Sequence, residues 1–332
     1  MSLSLMKTVC MATALATLAT PAAHANRYSI EDLGVHVIPF DINGSGAVVG
    51  FRNDKAVGFR NGHWHALPIG GRPGIALAVN ERGDAVGSQG SLPILWARFG
   101  QRQELAMPDG ATSGRAADIS FDRTTTGHYV FGDDIFHTHC FRTLADGSAT
   151  DLGMLAQGND CAPHGINDRG EIVGEANVVR DGPVHAFLWR EGAMRDLGTL
   201  GAGDMAMAFG VNAQGHVVGR SNLAPRGPGH AFVWKDGVMK DLGRSTAFSE
   251  TEANAINDRG EIVGDGIRVE DGGFRAVRFG DGEVFALEDE VQDLGDWLLI
   301  SATSINRDGV ILGEAVKLGD GQVHAFLLRP LP

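Results

Sequence analysis

The sequence repeats itself. HGINDRGEIVGEANVVRDGPVHAFLWREGAMRDLG, residues 164–198, returns with little change as FGVNAQGHVVGRSNLAPRGPGHAFVWKDGVMKDLG, residues 209–243. A third copy opens with ANAINDRGEIVG at Ala253 and a fourth with TSINRDGVILG at Thr303. A period of roughly 45 residues means stacked supersecondary units rather than one irregular domain. Within residues 164–198 the pattern predicts four short strands: one ending in GIN, then EIVGEA, HAFLWR and AMRDL. Asn167-Asp168-Arg169-Gly170 and Glu191-Gly192 have the composition of tight hairpin turns. In HAFLWR both faces are apolar, Phe187 and Trp189 on one and Ala186 and Leu188 on the other, so this strand belongs between stacked sheets.

The asparagine of the first turn numbers the units: Asn43, Asn80, Asn167, Asn212, Asn257 and Asn306. The interval between Asn80 and Asn167 is twice the others and holds a worn unit, with ADIS at 117–120 and HCFRTLADGSATDLG at 139–153. That makes seven units. The last stops at HAFLLRP, residues 324–330, without a fourth strand, while RYSIEDLG, residues 27–34, is a fourth strand without a unit before it. Each end supplies what the other lacks, as ring closure requires. The expectation is an all-β, seven-bladed β-propeller of four-stranded repeats, with the N-terminal strand completing the last blade. An open β-solenoid is the alternative.

Composition agrees with many tight turns: 47 of 332 residues are glycine and only 12 are proline. The net charge of −13 disfavours nucleic acid and anionic membrane surfaces as partners. Residues 1–25 read as a secretory signal, with Lys7, the apolar run VCMATALATLAT and Ala23-His24-Ala25 before the cleavage point. The expected mature chain, 26–332, is therefore a single domain, secreted or periplasmic, and no later apolar run is long enough to span a membrane. Export makes a Cys140–Cys161 disulfide the expectation, two separate buried thiols being the alternative.

HAFLW, HAFVW and HAFLL, each in a unit with INDRGEIVG-like and DLG segments, resemble the HAF repeat. The match departs from the pattern in units one (VGFRNGHWHALP), two (PILWARFG), three (HCFRT) and six (RAVRFG). The resemblance implies an extracellular repeat protein; that family has no established activity, so no catalytic residues carry over.

Candidate sites follow from where the repeats vary. The first and third turns are tight and share one face, whereas the second turns and the blade-to-blade connections are long and share the other. Variable loops on a rigid scaffold are the usual place for binding. The connections carry Asp160, Asp204, Glu250, Glu252 and Asp296, which would form a negative funnel if they converge on the axis. His139, His185, His230 and His324 open third strands, where a repeated need such as a side-chain bond to backbone is expected. His137 and His139, with His128, Asp133 and Asp134 nearby, have spacing compatible with a metal. His63 and His65 repeat that spacing. No nucleophile, phosphate-loop or zinc-protease motif stands out, and no cofactor is expected. The leading expectation is an exported, non-enzymatic scaffold that binds a protein or glycan on its long-loop face. The alternatives are a glycan-directed hydrolase or lyase using axial carboxylates, and a structural surface protein.

Overall fold

The computed structural model describes residues 27–68, 70–132 and 137–332. The expected signal segment, 1–25, lies outside them. Among the described residues the strands form seven four-stranded antiparallel sheets, each from consecutive strands except the last. Blade four shows the plan, from inner to outer strand: Cys161–Ile166, Ile172–Asn177, Val184–Arg190 and Ala193–Gly198. Blade seven consists of Trp297–Ile305, Ile311–Lys317, Gln322–Pro330 and, as its outer strand, the N-terminal Tyr28–Val35. Tyr28 pairs with Pro330 and Val35 with His324, so the ring closes as the sequence predicts.

The core is a set of layers between blades. Ala186 and Leu188 pack with Val217 and Phe232 of blade five, whereas Phe187 and Trp189 pack with Cys140 and Leu152 of blade three. Phe187, Phe232 and Phe326, one from each full HAF motif, are completely buried. Each such side chain contributes roughly 2–3 kcal/mol by leaving water.

Two polar devices explain the motifs. The first is His–Asp. His185 Nδ1 lies 2.9 Å from Asp196, His230 Nδ1 3.2 Å from Asp241, and His324 Nδ1 2.9 Å from Asp32. The same carboxylates accept the N–H of Gly198, Gly243 and Gly34. The histidine of HAF is thus bound to the aspartate of DLG on the neighbouring outer strand, not to backbone, and the glycine of DLG completes the turn. Facing a carboxylate, Nδ1 carries the proton.

The second device is a belt of asparagines on the tight-turn face. Each buried turn asparagine accepts two backbone N–H groups of its own turn through Oδ1, as Asn212 does from Gln214 and His216. Through Nδ2 it donates to the equivalent carbonyl of the next blade. The chain Asn167→Asn212→Asn257→Asn306→Asn43→Asn80→Ser120 runs with donor–acceptor distances of 2.9 to 3.2 Å. Ser120 has no amide, and its hydroxyl is used within its own turn, on Asp122 and the Thr124 carbonyl. The belt is therefore open between blades three and four.

That seam is the one the disulfide crosses. Cys140 on the third strand of blade three (His139–Thr143) is bonded to Cys161 on the inner strand of blade four, with Cα atoms 5.5 Å apart. Closing a loop of this length stabilises the fold by about 3 kcal/mol. Cys140→Ser/Cys161→Ser should lower the unfolding free energy by about that amount in urea titration. A loss below about 0.5 kcal/mol would show that the seam is held by other contacts.

Candidate functional site

Every inner strand carries a one-residue bulge just before its turn asparagine, or before Ser120 in blade three, for instance between Pro163 and Gly165 and between Ala208 and Gly210. The shift pushes an inner-strand carbonyl against the second strand. The seven facing residues, Gly50, Gly87, Gly127, Gly174, Gly219, Gly264 and Gly313, would place a Cβ 1.9 to 2.3 Å from that oxygen. Only glycine fits, which accounts for the glycine that follows Val, Thr or Leu in every second strand.

The bulges aim their extra residues at the axis. The resulting channel, of about 230 Å3, is lined by Phe40, Leu77, Ala117, His164, Phe209, Asn254 and Thr303. The next residue of each strand joins them, and these are small in five blades: Ala78, Gly165, Gly210, Ala255 and Ser304. In blades one and three they are Asp41 and Asp118. Asp41 accepts hydrogen bonds from Ile42 N–H, the Ser304 hydroxyl and Val79 N–H. Asp118 accepts from Ile119 N–H at 2.7 Å and, across the open seam, from Ile166 N–H at 2.8 Å.

Enclosure in protein pushes both carboxyls above their usual range. Asp118 is raised to about 8, first by loss of solvent and then by the charge of Asp41, with Asp168 adding to it. Midway along blade three's inner strand (Ala111–Ile119), Arg115 pairs in register with His128. Burial, followed by the charges of Arg115 and His164, lowers His128 to about 4.

The two shifts have opposite signs. Asp118 contributes stability that is present below about pH 4 and is lost as pH rises to about 8; His128 contributes stability present above about 6.5 and lost as pH falls to about 4. They oppose one another from about 4 to about 6.5; above that the Asp118 effect remains, with the raised Asp41 acting in the same sense. Wild-type protein should therefore lose on the order of 2 kcal/mol between about pH 6.5 and about pH 8. Thermal melts of Asp118→Asn should lack this decline; a parallel decline in the variant would place its source elsewhere.

The carboxylates singled out from the sequence do not line this channel. Asp160 accepts from Thr138 N–H at 2.9 Å, Asp204 from the Asn222 amide at 2.6 Å, and Asp296 from Gly319 N–H at 3.0 Å. Each shapes a loop. Glu250 and Glu252 share Arg220, at 2.7 and 3.7 Å, beside a small cavity of about 80 Å3 between blades five and six. The imidazoles of His137 and His139 have separate partners, Asp181 of blade four's second turn and Asp151 of blade three's outer strand. Asp133 and Asp134 lie outside the described residues. Among the described residues no three His, Cys, Asp or Glu side chains could together hold a metal. His63 and His65 lie exposed on the outer strand of blade one (His63–Ala66).

The long-loop face has a further feature that the sequence reading passed over. Among the described residues the exposed large hydrophobics are Phe121, Phe131, Val179, Leu223, Val238, Val269 and Leu318. Five of them, Phe131, Val179, Leu223, Val269 and Leu318, stand at the same second turn in blades three to seven. One to a blade, they are spaced along an arc, an apolar crescent. Asp181, Asp204 and Asp320 lie along it, held below the usual carboxylate range by hydrogen bonds from the Asn159 amide, the Asn222 amide and Gln322 N–H respectively. Aligning the units at the end of the second strand would have exposed the crescent. Aligning them two places before the asparagine would have exposed Asp41 and Asp118.

These elements define a seven-bladed propeller closed through its N-terminal strand. Known structures share that architecture. A streptogramin B lyase superposes with a TM-score of 0.58 at 11% identity, over 92% of this chain and 98% of the other. YCF48 from Cyanidioschyzon merolae gives 0.54 at 10% identity, over 91% and 99%. An acylaminoacyl peptidase from Pyrococcus horikoshii gives 0.51 at 11%, over 90% of this chain but 52% of that longer one. At such identities the likeness is one of fold, and it is a fold that enzymes use. The chain matches no family model and no curated protein. Among the described residues no helix is long and apolar enough to cross a membrane.

Proposed function

We propose that this chain is an exported propeller of HAF-type repeats that acts as a non-enzymatic scaffold, binding a protein partner on its long-loop face. The apolar crescent carries the reading. Exposed apolar side chains scattered singly need no explanation, whereas one repeated at the same turn in five successive blades is a surface meant for covering. Four of the five are aliphatic, which suits a protein surface better than a glycan, whose hydroxyls they cannot satisfy. The flanking aspartates remain charged, so the complementary partner presents apolar groups framed by Lys or Arg.

The test is Leu223→Asp/Val269→Asp/Leu318→Asp. All three positions are exposed, so the fold should tolerate the changes to within about 1 kcal/mol. Immobilised mature protein from Asn26 should retain a partner from the extracellular or periplasmic fraction of its own cells. The triple variant should release it, and retention should weaken with salt. Equal retention by both proteins would remove the long-loop face as the binding surface. N-terminal sequencing of the exported chain checks the expected cleavage after Ala25.

A further inference from the structure

The axial channel serves neither the crescent nor the loops. It is walled by all seven inner strands, and at about 230 Å3 it has room for roughly seven waters at about 30 Å3 each. Its polar groups are mostly acceptors. Asp41 and Asp118 have no cationic partner among the described residues, and their backbone donors leave lone pairs unused on Asp41 Oδ2 and on both oxygens of Asp118. His164, a lining residue, turns its Nε2 away from the channel to within 3.6 Å of Glu175 Oε2 on the second strand of blade four, and both atoms are covered by protein. The lining also includes the rings of Phe40 and Phe209.

We propose that the axial channel is a binding site for a small organic cation carrying a primary ammonium group. Three N–H donors on one positive nitrogen suit the unused carboxylate lone pairs. A positive charge between Asp41 and Asp118 replaces their mutual repulsion by attraction, in surroundings where solvent screens little. The aromatic rings favour an alkylammonium over a hydrated metal ion. The donor set agrees, since no trio of metal-ligating side chains exists among the described residues.

Isothermal titration calorimetry of the mature protein with n-butylammonium chloride tests this. Saturable one-to-one binding is expected, tighter at about pH 9 than at about pH 6 because the ammonium favours ionised Asp118. Binding at neutral pH should release a proton, seen as a heat that depends on the buffer's own ionisation. The groups able to contribute are Asp118, the neighbouring Asp41 and Asp168, the Glu81 carboxylate near Asp41, and His164. Asp118→Asn should weaken binding about ten- to a hundredfold at the higher pH and abolish the proton release. Proton release in the wild type needs no variant, so the test survives if Asp118→Asn fails to fold. No saturation, unchanged affinity in a folded Asp118→Asn, or tighter binding of magnesium or calcium chloride than of n-butylammonium would each overturn the proposal.

Discussion

Gly219→Ala is expected to destabilise the protein by about 3 kcal/mol or more, although it adds a single methyl group. The added carbon would sit 1.9 Å from the carbonyl oxygen of Met207, with the Met207 and Ala208 backbone also within 2.9 Å. No rotamer relieves that overlap, because the obstacle is backbone. The inner strand would have to give up its bulge, and with it the direction of Phe209 into the channel. Gly215→Ala provides the comparison: its φ is +80°, so the substitution strains the turn, but its nearest neighbour is the tip of the flexible Arg169 side chain. Chemical denaturation of the two variants should rank Gly219→Ala as the more damaging. The reverse order would mean that the bulge is dispensable.

The second large effect is expected at the asparagine belt. Asn212→Ala removes two hydrogen bonds to the turn and the donor to the Asn257 carbonyl, all at a site 3% exposed. Left without partners, those groups should cost about 3 kcal/mol in total. Asn212→Asp separates the two roles. It keeps an acceptor for Gln214 and His216 but turns a carboxylate oxygen towards the Asn257 carbonyl, so it should fail in the belt while keeping the turn. Amide hydrogen exchange at Gln214 and His216 should therefore be fast in Asn212→Ala and slow in Asn212→Asp. Equal exchange in both would show that the turn does not depend on Oδ1.

Much of the architecture was legible in the sequence because it is periodic. The seven units, the tight turns at Asn167 and Glu191, the doubly buried HAFLWR strand and the closure by residues 27–34 each announce themselves through repetition or through a missing strand. Seven sheets and the pairing of Tyr28 with Pro330 bear this out, and Cys140 is bonded to Cys161. The channel was harder to see. A bulge leaves no composition of its own, only a glycine on the opposite strand, and glycine is common throughout this chain. Asp160, Asp204 and their counterparts are conspicuous in the sequence as loop acids, yet those carboxylates turn back onto nearby loops. Asp41 and Asp118 sit inside strands, where a periodic reading assigns a face but cannot foresee that the register slips at that point.

The strand that completes blade seven sets the order in which the molecule can be finished. Residues 28–35 pair with residues 324–330, almost the full length of the chain away. Contacts of such long sequence separation form late, since the loop they close must be assembled first. The first strand to be made therefore waits, as an unpaired edge, for the last. A growing chain can build blade after blade yet has no closed ring until its final strand is made.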